Sequence, residues 1–102
     1  MSENFPPGRG ENWNLCKLWE DNATENAETW GRQDMDTLLL AMQEELGELT
    51  RAYLQWTHED GEPRPVADEL HDLAPLLFQF YWELDATHRE LAGYTGGDAG
   101  DE

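Results

Sequence analysis

Residues 35–56 read MDTLLLAMQEELGELTRAYLQW, and their large apolar side chains recur at alternating steps of four and three residues. This spacing places those side chains along one stripe of an α-helix. The stripe consists of Met35, Leu39, Met42, Leu46, Leu49, Tyr53 and Trp56. Asp34 or Asp36 can cap the first turn, and the polar residues 57–65, with one glycine and two prolines, end the helix. The stretch therefore predicts one long helix.

A second, shorter helix is predicted before this stretch and a third helix after it. Residues 13–26 carry apolar side chains at helical spacing, and Gly31 then breaks the chain. The third helix should begin just after Pro65, because proline suits a first helical turn. Its apolar stripe comprises Val66, Leu70, Leu73, Leu77, Phe80, Leu84 and Leu91. Pro75 lies within it and should kink its axis, since proline removes the hydrogen bond to the carbonyl of His71.

The predicted fold is all-α, a helical hairpin of two long helices plus a shorter N-terminal helix. Residues 13–92 form the expected domain, and residues 1–12 and 93–102 are expected to be flexible tails because of their Gly, Pro and acidic content. About 80 folded residues give a marginal core. Residues 76–82 are apolar nearly all round, which one hairpin cannot cover. We therefore expect a dimer or higher assembly that forms a helical bundle.

The charge balance excludes some functions. The 102 residues include 23 acidic and six basic side chains, giving a net charge of −17, which repels nucleic-acid backbones and anionic membranes. So acidic a surface is typical of proteins from a high-salt cytoplasm, and we expect a halophilic source. Cys16 is the single cysteine, and no apolar run approaches membrane-spanning length. The sequence thus predicts a cytoplasmic protein.

Two acidic clusters carry the chemical signal, EELGE at residues 44–48 and DELHD at residues 68–72. On a helical wheel, Glu45 and Glu48 lie on one flank of the apolar stripe of the second helix, and Glu44 points nearly opposite the stripe. Glu69 and Asp72 are displaced in the same rotational sense on the third helix. Two antiparallel helices could therefore bring four carboxylates together.

Glu45 and Glu48 interrupt a row that is otherwise small or apolar, and this row is expected to face another helix. Its other members are Leu38, Ala41 and Ala52. Converging carboxylates repel one another unless a hard divalent cation binds them, and Mg²⁺ is the first choice. The competing interpretation is a solvated, salt-adapted face in a chain where acids are simply abundant.

The string Glu44-Glu-Leu-Gly-Glu48, followed after 20 residues by Glu69-Leu-His-Asp72, resembles the EExxE and ExxD signature of the MazG-like nucleotide pyrophosphohydrolases. The resemblance spans about residues 30–84. It implies an all-α enzyme that hydrolyses a nucleoside triphosphate to the monophosphate and pyrophosphate. It also implies Mg²⁺ as cofactor, with Mn²⁺ as a possible substitute, and a homodimer or homotetramer.

The resemblance also implies roles for single residues. The expected metal ligands are Glu45, Glu48, Glu69 and Asp72. Glu45 and Glu48 would also be catalytic, and Glu44 would be an outer ligand or base. The resemblance implies Trp56 and Trp30 as substrate-binding aromatics. Apart from the resemblance, Arg51 and Lys17 are the basic side chains expected to bind the phosphates of the substrate.

Competing interpretations remain for several of these residues. Arg51 and Lys17 could be ordinary surface charges, and His71 is expected to be structural. The family's basic element after the second acidic helix is reduced here to Arg89. A catalytically weak nucleotide- or metal-binding regulatory module is therefore the alternative function, and a purely structural acidic bundle is the third.

Overall fold

A computed structural model describes residues 5–88, which form three α-helices and contain no strand. Helix α1 spans Arg9–Trp30, α2 spans Met35–His58 and α3 spans Arg64–Thr87. Helix α3 packs against both α1 and α2. The predicted all-α class with two long helices and a third N-terminal helix is confirmed.

Helix α1 is longer than predicted at both ends. It begins at Arg9, where the amide of Asn12 donates to the carbonyl of Gly8 at 3.2 Å, so the boundary predicted at residue 12 lies inside the helix. It continues to Trp30 through residues with weak helix propensity. The stretch of weak helix formers is held against α3 by Ala23, which is fully buried, and by Asn26, whose Nδ2 donates to Gln79 Oε1. Leu91 and the predicted C-terminal tail lie outside the described residues.

The ends of α2 and α3 follow ordinary capping chemistry. The Asp34 carboxylate accepts a hydrogen bond from the Thr37 amide at 2.8 Å, which identifies Asp34 rather than Asp36 as the N-cap. After α2, Gly61 approaches the carbonyl oxygen of Gln55 so closely that a Cβ would lie 2.8 Å from it. Helix α3 begins at Arg64, two residues before the predicted start after Pro65, so that Pro65 lies in its first turn.

Pro75 lies inside α3 without ending the helix. It is one of the two largest side chains that are fully buried, the other being Leu38. The expected kink at Pro75 stays a prediction.

Helix α2 turns toward α3 the row that contains Leu38, Ala41, Glu45 and Ala52. Leu38 and Ala52 are buried, with exposed fractions of 1% and 7%. The neighbouring stripe of larger side chains stays about half exposed at Leu39, Leu46 and Tyr53. The row that contains Glu45 therefore faces another helix, as predicted.

Side-chain hydrogen bonds connect α1 and the loop between α1 and α2 to α3. The indole Nε1 of Trp19 donates to His71 Nδ1 at 2.9 Å, which gives His71 the structural contact expected of it. Arg32 donates two hydrogen bonds to the Glu83 carboxylate, at 2.8 and 2.7 Å. This pair holds the loop on α3 and raises the pKa of Arg32 through the hydrogen bond and the charge of Glu83.

Within residues 5–88, no helix is both long and apolar enough to cross a bilayer.

Candidate metal centre

Three glutamates from two helices converge at the α2–α3 contact. Glu45 and Glu48 lie one turn apart on α2, and Glu69 lies on α3. One carboxylate oxygen from each lies within 4.8 Å of the other two. Two oxygens bound to the same Mg²⁺ are at most about 4.2 Å apart, so small side-chain rotations would bring all three into one coordination sphere.

Burial separates this cluster from a solvated acidic face. Glu45 Oε1 and Glu69 Oε1 are both buried, and neither has a hydrogen-bond partner within residues 5–88. A buried carboxylate oxygen without a partner is costly, because it has lost water and gained nothing in return. A hard cation would satisfy both atoms. The oxygen donor set and its two unpartnered atoms therefore fit Mg²⁺.

The electrostatics of Glu45 give the same conclusion. Its pKa is raised to about 7, first because burial disfavours the charged form. Close approach of the Glu69 carboxyl, with which it can share a proton, raises it further, as do the negative charges of Glu48, Asp72 and Glu69. The cluster therefore lacks positive charge, which either a proton or a metal ion can supply.

Asp72, the fourth predicted ligand, lies beside the cluster but outside its three closest oxygens. It is exposed, it lines the same cleft as Glu45, and its charge contributes to the raised pKa of Glu45. Glu44 is exposed and does not belong to the cluster. The structure thus brings together three of the four predicted ligands, with Asp72 adjacent.

An open cleft of about 450 Å³ is lined by Glu45 and Asp72, and its volume suits a small-molecule ligand. Trp30 lines it from the end of α1 and is 71% exposed, so one predicted substrate-binding residue lies next to Glu45 and Asp72. The lining residues are Asn26, Trp30, Gln33, Ala41, Glu45, Asp72, Leu76 and Gln79.

The other three predicted substrate-binding residues lie elsewhere. Trp56 packs edge-to-face against Tyr53, with ring centroids 6.1 Å apart. Arg51 lines a different pocket on α2. Lys17 lies 3.9 Å from Asp21 on α1. The cleft lining, as far as the described residues form it, contains no basic side chain.

Sequence reasoning missed the amides of the cleft, Asn26, Gln33 and Gln79. A spacing signal was present for two of them. Gln79 follows Asp72 by seven residues, two turns along the same face of α3, and Asn26 precedes Trp30 by one turn of α1. No comparable signal marks Gln33, because it belongs to the loop between α1 and α2.

Comparison with protein-family models, curated proteins and solved structures found no match to this chain.

Proposed function

We propose that the protein is a Mg²⁺-dependent hydrolase that converts a nucleoside triphosphate to the monophosphate and pyrophosphate. One observation carries the proposal: Glu45, Glu48 and Glu69 converge with two buried, unpartnered oxygens, beside a cleft that also contains an exposed tryptophan. The signature-like spacing of the same acids in the sequence supports it.

Glu45, Glu48 and Glu69 would hold Mg²⁺, or Mn²⁺ in its place, with Asp72 completing the acidic side of the cleft. When bound, the metal would supply charge neutralisation for the triphosphate and would lower the pKa of a water molecule that attacks it. Water attacks the α-phosphorus, the bond from that phosphorus to the bridging oxygen breaks, and pyrophosphate leaves. The carboxylates orient the reacting groups, and Glu44 stays a candidate outer ligand or base.

Trp30 would position the nucleotide through its base. Its indole is exposed at the cleft, and an aromatic ring can stack on any base because every base has a flat face. With Glu45 and Asp72 lining the same cleft, the base and the phosphates would be bound by different residues.

A catalytically weak binding module is the second candidate, and the charge of the cleft favours it. Phosphoryl-transfer sites commonly use Lys or Arg to stabilise the phosphates, whereas the described lining of this cleft offers none. Such a module would bind Mg²⁺, or Mg²⁺ with a nucleotide, without turnover.

We also propose that the functional unit is a homodimer or homotetramer. Within one chain the buried apolar side chains are few and mostly small, whereas Leu46 on α2 and Leu77 on α3 are 53% and 54% exposed. Apolar surface of this extent on a small helical protein marks an interface. A second copy would present the same apolar stripe, so the two faces would match in chemistry.

A nucleotide panel tests the function. Ribo- and deoxyribonucleoside triphosphates should be offered with Mg²⁺ at low and at molar salt, and monophosphate and pyrophosphate should be measured together. Equal release of both products from at least one nucleotide is expected. Specific Mg²⁺ binding without pyrophosphate release from any nucleotide would favour the binding module instead.

A further inference from the structure

A buried amide lies in the middle of the apolar second half of α3. Gln79 is only 6% exposed, although residues 76–82 are otherwise apolar or aromatic. Burying an amide is unfavourable unless its polar atoms find partners. Gln79 therefore needs a polar environment on one side, and the cleft beside Trp30 provides it.

Asn26 supplies the first partner. Its Nδ2 donates to Gln79 Oε1 at 3.1 Å, which ties α1 to α3. This bond does not use Gln79 Nε2, a donor, or Asn26 Oδ1, an acceptor. Both residues line the cleft. The pair therefore offers one donor and one acceptor next to each other.

The Asn26–Gln79 pair lines the same cleft as Trp30 and Asp72. Trp30 lies one turn beyond Asn26 on α1, and Asp72 lies two turns before Gln79 on α3. The cleft thus combines a flat aromatic surface and a donor–acceptor pair with the acidic side chains of the metal centre. A nucleobase has the matching features, a flat face for stacking and an edge on which a donor and an acceptor are neighbours.

We propose that Asn26 and Gln79 form the base-recognition subsite, in which they hydrogen-bond the edge of a nucleobase stacked on Trp30. This inference rests on the proposed function, since it identifies how that site holds the nucleoside part of its substrate. The bond between the amides can also form in the reverse sense when both flip, which exchanges donor and acceptor. The pair can then match edges of either polarity, and we expect more than one base to bind.

The test compares ligands with and without a base in the presence of Mg²⁺. The first probes are the α,β-methylene analogues of the four common nucleoside triphosphates, in which a methylene group replaces the bridging oxygen that hydrolysis would release. The second probe is inorganic tripolyphosphate, which has no base. Calorimetry should be performed on the wild type and on Gln79→Met, because methionine keeps the length and flexibility of glutamine without its hydrogen-bonding atoms. Gln55→Met on α2 is the matched control, since Gln55 lines a different pocket.

We expect Gln79→Met to weaken binding of the bound analogues by roughly three- to tenfold, the usual effect of losing a hydrogen bond, and to leave tripolyphosphate binding unchanged. Asn26→Ala should have the same selective effect, and it serves as the second variant if Gln79→Met does not fold. Gln55→Met should bind every probe like the wild type.

Three results would overturn the proposal: analogues that bind Gln79→Met and Asn26→Ala as tightly as the wild type, equal losses for analogues and tripolyphosphate, or a wild type that binds no analogue better than tripolyphosphate. The outcome is separable from catalysis. Base-dependent binding lost in Gln79→Met would support the subsite even in a protein that hydrolyses no nucleotide. The converse outcome is that the wild type releases pyrophosphate while both variants bind the analogues as tightly as the wild type does. That outcome would support the hydrolase and contradict the base-recognition subsite.

Discussion

The two faces of α2 do not follow the usual pattern in which acids are exposed and large apolar side chains are buried. The face turned toward α3 carries Leu38, Ala52 and the half-buried carboxylate of Glu45. The adjacent face carries large apolar side chains such as Leu46 and Tyr53, and these are about half exposed. The inward face thus combines Leu38 and a small residue with an acid, while several large apolar residues of α2 face outward.

Neither face of α2 has the residue composition that would make a single chain most stable. Carboxylates inside a helix contact repel one another and lose hydration, and the proposed cation would relieve both costs. Large apolar side chains outside contribute little to the stability of one chain, and the proposed second copy would cover them. The proposed metal centre and the proposed interface therefore both rest on residues that do not stabilise the isolated chain.

The largest expected effect concerns the inner face. Glu45→Gln and Asp72→Asn each remove a negative charge while preserving shape, so each should lower pyrophosphate release by about a hundredfold or more with the helical fold retained. Steady-state pyrophosphate assays and circular dichroism measure the two properties.

Glu44→Gln is the matched comparison for these two variants, because Glu44 is exposed and lies outside the cluster. It should lose less activity than either. Equal losses in all three variants would contradict the placement of Glu44 outside the metal centre. Full activity in Glu45→Gln and Asp72→Asn would show that the active site lies elsewhere.

The next largest effect concerns the outer face. Leu46→Glu places a charge on the exposed stripe and should weaken self-association by at least about tenfold, because burying a leucine contributes roughly 1.5–3 kcal/mol. Light scattering across a concentration series in molar salt measures the change. Low salt should also loosen the wild-type assembly, since a net charge of −17 is then unscreened. A folded wild-type monomer in molar salt would contradict the interface.

A smaller effect is expected from pH in the metal-free protein. Folding raises the pKa of Glu45 from 4.5 to about 7, so the folded chain keeps a proton that the unfolded chain has released between these values. This contribution to the free energy of unfolding is complete below about pH 4.5 and is lost as the pH rises through about 7. The melting temperature of the wild type should therefore fall more steeply from pH 5 to 8 than that of Glu45→Gln. Parallel curves for the two proteins would contradict the burial of Glu45.

The sequence contains enough information for the helices and for the four acids, because apolar periodicity and i, i+3 spacing are local properties of a helix. It was less informative about how far α1 extends, because the predicted end rested on the weak helix propensity of residues 22–26, whereas Ala23 and Asn26 in this stretch contact α3. Trp30 and the acids were identified together through the family resemblance, whereas Gln79 was missed because its spacing from Asp72 matches no known motif. Arg51 and Lys17 were placed near the phosphates by charge alone, and the direction in which each side chain points is set by the packing of three helices.

The most direct test of the central claim is whether the inner face holds a divalent cation. The melting temperature should be followed as Mg²⁺ replaces monovalent salt at constant ionic strength, for the wild type, Glu48→Gln and the control Glu44→Gln. A cation that binds only the folded chain raises the melting temperature with its concentration. We predict such a rise for the wild type and Glu44→Gln and its loss in Glu48→Gln. The same rise in all three proteins would show that Glu48 is not a ligand, and no rise in the wild type would contradict the metal centre.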